Sequence, residues 1–155
     1  AKNSDVICHT DAVQVKIIMN ISPIEEVKRN ICGYKVQQFQ GPVKRYCQTM
    51  DLKDDPELIK EYIQCHSKDK AWPEIREGIR AVGILEMEIY ILGSRLFMIV
   101  ETPLDFEWDT AMAKLATMPR QVEWEELVSH FQVALPNASS SEKWSLMDRM
   151  FYLYP

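Results

Sequence analysis

Apolar residues recur along this chain with two different periods, one typical of strands and one typical of helices. Runs rich in β-branched and aromatic residues predict strands at 45–50, 84–92, 95–101 and 146–154. Apolar positions three or four residues apart predict helices over 57–67, 73–82, 106–117 and 121–131. Gly93-Ser94 joins the second and third of these strands, and a two-residue link that begins with Gly predicts a hairpin of the II′ kind.

Capping residues mark the ends of the first two predicted helices. Asp55 can accept hydrogen bonds from exposed amides and Pro56 fits a first helical turn, so the first helix opens there. Pro73 opens the second helix in the same way, and Gly83 ends it. The polar stretch 137–142 is expected to be a loop.

The resulting order is strand, helix, strand, strand, helix, strand. This order is typical of a split βαβ sandwich, so we predict an α+β, ferredoxin-like fold with a four-stranded antiparallel sheet. Helices would cover one face of that sheet and leave an apolar face bare. Apolar patches of that size seldom stay exposed on monomers, so the face must hold a ligand or meet a second subunit, and we predict a homodimer.

Residues 1–43 differ from the remainder of the chain. They hold five positive and four negative charges, against −6 for the rest of the chain. A strand at 13–19, a helix that begins at Ser22-Pro23 and ends at Gly33, and a linker at 37–42 are the elements expected here. We predict an N-terminal extension of unknown role over 1–43 and one α+β domain over 44–155.

Composition excludes several classes of function. The chain has 155 residues and 18 Lys and Arg against 23 Asp and Glu, a net charge of −5. An acidic chain is a poor nucleic-acid binder and a poor polybasic membrane anchor. No apolar run approaches the roughly 20 residues of a membrane-spanning helix, so no membrane association is expected.

Cysteine spacing and the first residues of the chain predict its compartment. The four cysteines are irregularly spaced, with no CxxC pair, and lie at Cys8, Cys32, Cys47 and Cys65. The first 21 residues lack the features of a signal peptide. We therefore predict a cytoplasmic protein.

Tyr62 and His66 are the strongest candidates for chemistry. Four residues apart on a helix, they share one face, and an imidazole beside a phenol can exchange protons with a substrate hydroxyl near neutral pH. Packing against the sheet is the alternative interpretation of both. Trp72 and Trp124 are open in the same way: each can form the wall of a sugar pocket or anchor a helix in the core.

Other kinds of site are not indicated. His9, His66 and His130 are far apart and in no metal-binding motif, so no metal is predicted. The five glycines are scattered singly, without a GxGxxG or Walker loop, and no GxSxG is present. We expect no cofactor.

Four short motifs in this order resemble the L-rhamnose mutarotase family. They are Tyr62-Ile-Gln-Cys-His66, Ala71-Trp-Pro-Glu-Ile75, the strand pair 87–101 and the ending Met150-Phe-Tyr-Leu-Tyr-Pro155. The resemblance covers about residues 44–155. It implies a dimeric α+β barrel and a cofactor-free isomerase that interconverts the α and β anomers of a 6-deoxyhexose such as L-rhamnose.

The same resemblance implies roles for individual residues. His66 falls on the acid/base histidine of the family and Tyr62 on its substrate-binding tyrosine, while Trp124 falls on one of the paired tryptophans that line its sugar pocket. Trp72 stays a candidate for sugar binding beside its main role as a helix anchor. The chain departs from the family at Met87, where a sugar-contacting tyrosine is expected, and at Glu123, where the first of two tryptophans is expected. Two extra residues also precede Trp72.

These departures leave the sugar open among L-rhamnose, L-fucose and another deoxyhexose. Tyr90 is no replacement for the tyrosine missing at Met87, because alternation along a strand places the two residues on opposite faces. Two alternatives also remain: a non-catalytic barrel that binds a carbohydrate or has lost activity, and a small oxygenase or haem-handling enzyme on the same architecture.

Overall fold

The structure, a computed structural model, describes residues 6–8, 32–133 and 140–155. Contacts between Cα atoms divide the chain into two units, Ala1–Gln38 and Phe39–Pro155. In the first unit, β1 (Val6–Cys8) and β2 (Cys32–Tyr34) form an antiparallel pair. The strand predicted at 13–19 and the helix start at Ser22-Pro23 lie outside the described residues.

The prediction that Gly33 ends a helix is wrong, because Gly33 lies in the middle of β2. Its backbone is paired with that of Ile7 across the two strands. A residue in an extended antiparallel ladder cannot also serve as the left-handed end of a helix.

The second unit is built on a four-stranded antiparallel sheet. Its strands are β3 (Lys44–Asp51), β4 (Glu86–Leu92), β5 (Arg95–Thr102) and β6 (Ser145–Leu146). Their order across the sheet is β4-β5-β3-β6, the split arrangement of the ferredoxin-like fold. The predicted fold class is therefore confirmed, as is the hairpin at Gly93, whose φ is +60°.

The described residues of this unit form five helices. They are α1 (Pro56–Cys65), α2 (Pro73–Ala81), α3 (Trp108–Leu115), α4 (Gln121–Ser129) and α5 (Ser140–Lys143). The Asp55 side chain caps α1 by accepting from the backbone N–H groups of Glu57 (2.9 Å) and Leu58 (3.2 Å), as predicted. None of the helices in the described ranges has the length and apolar character needed to cross a bilayer.

The short helix α5 corrects the loop that was predicted over 137–142. Residues 134–139 lie outside the described part of the chain, but 140–143 form one helical turn. Glu142 in its first turn and Lys143 in its last complement the helix dipole, which favours helix over loop here.

Side chains of β5 alternate between a covered and an open face of the sheet. Leu96, Met98, Val100 and Thr102 are buried beneath the helices, where the sheet meets two hydrophobic clusters. The prediction that helices cover one face is confirmed.

The other face, which we call the open face, carries Phe97 and Ile99 at its centre. The strand register places their neighbours on the same face, and these are Cys47, Thr49, Glu88 and Tyr90. None of these residues belongs to the two core clusters found among the described residues. Ion pairs stand at both ends of the face, Arg45 with Glu101 and Arg95 with Asp51. The open face therefore has Phe97 and Ile99 at its centre, with Glu88 and Tyr90 opposite them on β4, between margins that carry ion pairs.

The final strand is much shorter than predicted. It was expected over 146–154, but β6 contains two residues and the chain leaves the sheet after Met147, whose N–H donates to the Cys47 carbonyl (2.8 Å). Continuing the register in which Leu146 pairs with Gln48 would put Arg149 directly opposite Arg45. Like charges in opposed positions destabilise a ladder. The Arg149 guanidinium instead lies over the ring of Tyr152, 4.3 Å from its centroid.

Candidate active site

A cavity of about 110 Å³ lies between the helices and the covered face of the sheet. It forms where the two core clusters meet, since Ile79 and Trp144 pack against both clusters and also line the cavity. One ordered water needs roughly 10–15 Å³ by this kind of measure, so the cavity has room for several waters.

The structure brings Tyr62 and His66 together in the wall of this cavity. Tyr62 faces inward from the last turns of α1 and is 4% exposed, and His66 is the residue at which α1 ends. Their ring centroids are 4.4 Å apart. The four-residue spacing noted in the sequence has therefore become direct contact between a phenol and an imidazole.

One hydrogen bond determines which nitrogen of His66 carries the proton. Nδ1 lies 2.8 Å from the backbone carbonyl oxygen of Tyr62. A carbonyl oxygen can only accept, so Nδ1 is the protonated nitrogen and donates to it. In the neutral ring, Nε2 then has the free lone pair that a general base requires.

The surroundings keep the His66 ring neutral near pH 7. Burial is the main cause that lowers the pKa of His66, and the positive charge of Arg76 lowers it further. The Tyr62 carbonyl opposes the shift by stabilising the protonated ring, but burial prevails. The imidazole is thus present as a base at neutral pH.

The Tyr62 phenol, in contrast, stays protonated and can donate a proton. Burial raises the pKa of Tyr62 well above its usual value, and the negative charge of Glu125 raises it further. A hydrogen bond with the side chain of Gln132 lowers the pKa but does not cancel the effect of burial. The cavity therefore offers a base and a donor side by side.

The two predicted tryptophans have different positions. Trp124 lines the cavity and meets His66 edge-on, with ring centroids 5.0 Å apart. Trp72 is not among the described residues that line it; it packs behind Trp124 (5.5 Å) with the Arg120 guanidinium over its outer face (3.7 Å). Trp72 instead lines a second cavity of about 280 Å³.

The sequence did not lead us to predict several polar residues that line the cavity, namely Gln48, Gln121, Glu125, Gln132 and Lys143. The Gln121 Nε2 donates to Glu125 (2.9 Å), and the Lys143 Nζ lies 3.7 Å from the other oxygen of that carboxylate. The i, i+4 spacing of Gln121 and Glu125 around Trp124 was a usable signal. Nothing local in the sequence points to Gln48 or Lys143.

The side of the cavity formed by the second core cluster is apolar. Its lining is made by Met87, Met98, Trp108 and Met112. Met87 occupies the wall where the family resemblance implied a tyrosine. Tyr90 lies on the open face opposite Phe97, as alternation along the strand predicted.

Within the ranges that the structure describes, no group of three or more His, Cys, Asp or Glu side chains is arranged to hold a metal ion. His9, considered in the sequence, lies outside those ranges.

Similarities to known proteins agree with this arrangement. A sequence model described as L-rhamnose mutarotase matches residues 45–153. An L-fucose mutarotase of Xanthomonas campestris pv. campestris is 37% identical over 111 residues, which cover 72% of this chain and 89% of that protein. A Dictyostelium discoideum protein is 36% identical over 114 residues, 71% of this chain and 90% of its own length.

A solved structure shares the fold. The crystal structure of an L-rhamnose mutarotase from Formosa agariphila matches with a TM-score of 0.54 and 20% identity, over 71% of this chain and 98% of that one. At 20% identity, this similarity shows a shared fold.

We expect His66 to make the free energy of unfolding depend on pH. Its pKa is lower in the folded protein than in the unfolded chain, so the unfolded chain binds more protons below about pH 6.5. The stabilisation is complete above that pH and is lost as the pH falls through the folded pKa. Urea unfolding at pH 7 and pH 5 should show a smaller loss for His66→Gln than for the wild type; an equal loss would contradict the inference.

Proposed function

The chain belongs to the L-rhamnose mutarotase family, and we propose that it interconverts the α and β anomers of a 6-deoxyhexose in the cavity beside His66. It is a carbohydrate enzyme of the isomerase class. The observation that carries the proposed site is a neutral imidazole with Nε2 free, in contact with a protonated phenol, in the wall of a cavity of about 110 Å³.

The proposed reaction opens and recloses the sugar ring. Nε2 of His66 takes the proton of the anomeric hydroxyl, the bond between C1 and the ring oxygen breaks, and the Tyr62 hydroxyl gives its proton to that oxygen. The open aldehyde rotates about the C1–C2 bond, and the same steps run backward on its other face. No bond to the protein forms, and every proton returns to its donor.

The contact between the two rings makes this proton exchange easier. Burial alone makes the Tyr62 phenol a poor acid. When His66 takes up the anomeric proton, a positive charge forms beside that phenol, with 4.4 Å between ring centroids. An adjacent positive charge favours the phenolate, so the two transfers assist one another.

The apolar side of the cavity supports a substrate without a hydroxyl at C6. Met87, Met98 and Met112 offer flexible apolar contacts suited to a methyl group. A hydroxyl placed there would lose its hydrogen bonds to water, which costs on the order of 1–3 kcal/mol. We propose L-fucose as the first sugar to test, because the L-fucose mutarotase of Xanthomonas shares 37% identity, and L-rhamnose as the second.

We also propose that the chain forms a homodimer through the open face. Phe97 and Ile99 form an apolar pair next to Glu88 and between ion-paired margins, and apolar residues inside a charged rim are typical of a protein interface. We further propose a cytoplasmic location. Cys47 and Cys65, the two cysteines whose state is described, are free thiols, which fits a reducing compartment.

Replacing His66 tests the proposed function directly. We expect His66→Gln to lower the rate of anomer exchange by about 100-fold or more, because general base catalysis is worth roughly that factor. Exchange NMR of L-fucose and L-rhamnose measures the rate. The matched control is His130→Gln, which removes an exposed histidine outside the cavity and should keep the wild-type rate.

Undiminished exchange in His66→Gln would remove this residue from the reaction. A wild-type protein that binds either sugar without accelerating exchange would instead favour the non-catalytic carbohydrate-binding alternative, which the changes at Met87 and Glu123 motivate.

Removal of the Tyr62 hydroxyl tests the proton donor. We expect Tyr62→Phe to lower kcat by about 10- to 100-fold and to raise KM, since a group positioned for a hydroxyl contact is left unpaired. The same exchange assay over a range of sugar concentrations separates the two effects. Tyr90→Phe, on the open face, serves as control. Equal losses in both variants would argue against a specific role for Tyr62.

A charge at the centre of the open face tests the dimer. We expect Ile99→Asp to convert a two-chain species into single chains in analytical ultracentrifugation, because an unpaired carboxylate would be buried at the interface. Val122→Asp places the same charge on an exposed position of α4 (62% exposed) and should leave the mass unchanged. A wild-type protein that sediments as a single chain would refute the dimer.

A further inference from the structure

Three glutamine side chains line the cavity with an unpaired oxygen. Gln48 lies on β3, Gln121 is the first residue of α4, and Gln132 follows the end of α4. They are 4%, 6% and 6% exposed, and all three are in the wall beside His66. The Oε1 atom of each is buried and has no hydrogen-bond partner within the described part of the chain. Buried carbonyl oxygens are rarely left in this state.

The amide nitrogens of two of these side chains are already committed. The Nε2 of Gln121 donates to the Glu125 carboxylate (2.9 Å), and the side chain of Gln132 hydrogen-bonds the Tyr62 phenol. An ionised carboxylate only accepts, so Glu125 holds the nitrogen of Gln121 toward itself and leaves the oxygen available. In Gln121 and Gln132, the amide nitrogen is therefore used within the protein, and the amide oxygen is left without a partner.

The backbone around these side chains is fixed as well. Gln48 pairs with Met98 in the middle of the sheet. Gln132 forms a bridge with Leu52, and flanking bonds join the Lys53 N–H to the Phe131 carbonyl (2.8 Å) and the Val133 N–H to the Asp51 carbonyl (2.9 Å). The backbone that carries these acceptors is therefore fixed before a ligand binds, and rotation of the side chains alone would turn the buried oxygens toward it, which limits the entropy lost on binding.

We propose that the oxygens of Gln48, Gln121 and Gln132 accept hydrogen bonds from the three non-anomeric hydroxyls of the bound sugar. A 6-deoxyhexose in its ring form has hydroxyls at C1, C2, C3 and C4. The C1 hydroxyl is the one assigned to His66, so three donors remain for three acceptors. This inference rests on the proposed function, which supplies a 6-deoxyhexose as the ligand.

A purely structural role makes the opposite prediction for stability. If the Gln48 amide stabilised the fold through its own hydrogen bonds, Gln48→Met would lower the Tm. If its oxygen is unpaired in the free protein, methionine fills the same space with nearly the same shape and without a desolvated oxygen. Gln48→Met should therefore keep or raise the Tm while it weakens sugar binding. Sites selected for a ligand often show this opposition between stability and function.

The test combines each glutamine variant with each deoxy analogue of the sugar. Isothermal titration calorimetry gives the Kd of L-fucose and of its 2-deoxy, 3-deoxy and 4-deoxy analogues for the wild type and for Gln48→Met, Gln121→Met and Gln132→Met. Each variant should bind L-fucose about 3- to 10-fold more weakly. One deoxy analogue lacks the hydroxyl that the replaced glutamine contacts in the wild type. For that analogue, the Kd of the variant should equal the Kd of the wild type. Gln64→Met, on the exposed side of α1, should bind like the wild type.

Wild-type affinity in the three variants would overturn the inference, as would an equal loss for every analogue or a lower Tm for Gln48→Met. Exchange NMR on the same proteins separates this failure from that of the proposed function. Active wild-type protein with unaffected glutamine variants refutes the glutamine contacts alone. If each variant loses affinity in the expected pairing with one hydroxyl, but the wild type does not accelerate anomer exchange, the glutamine contacts are supported and the proposed mutarotase activity is refuted. If the wild type binds neither L-fucose nor L-rhamnose, both proposals fail.

Discussion

The chemistry of this cavity depends on the hydrogen bond from His66 Nδ1 to the backbone carbonyl of Tyr62. An imidazole has two nitrogens of nearly equal basicity, and a buried ring without a fixed partner could present either one. Because the acceptor is a backbone carbonyl one helical turn earlier, the tautomer is set by the helix itself. The Asp55 cap stabilises the first turn of this helix, and aromatic contacts with Tyr62 and Trp124 hold the His66 ring at its other end.

The cavity exists because the core is divided. One hydrophobic cluster surrounds Tyr62 and Trp124, the other surrounds Met98 and Phe106, and the cavity lies where they meet. This gives it one side rich in polar groups and one rich in methionine and aromatic carbon. The division also places three unpaired glutamine oxygens inside the protein, a cost to the folded state that a bound polyol would remove.

Trp72 and Trp124, which pack edge to face, show how far residue type alone can be interpreted. Both indoles fitted a sugar pocket or a helix anchor, and the structure assigns them different places: Trp124 against His66, Trp72 behind it under Arg120. The final strand shows the same limit. Its residues favour a strand by type, but pairing depends on what the neighbouring strand presents, and here Arg45 would face Arg149.

Local sequence determined the elements and their order. Capping at Asp55, the break at Gly83 and the turn at Gly93 act over a few residues, and they predicted α1, the end of α2 and the β4–β5 hairpin correctly. The spacing of Tyr62 and His66 likewise predicted their contact, because four residues make one turn. Only the tertiary structure brought Gln48, Lys143 and Met87 to the same cavity and left Trp72 outside it. Those positions depend on strand register and helix packing between segments distant in the chain, and no local pattern of residues contains that information.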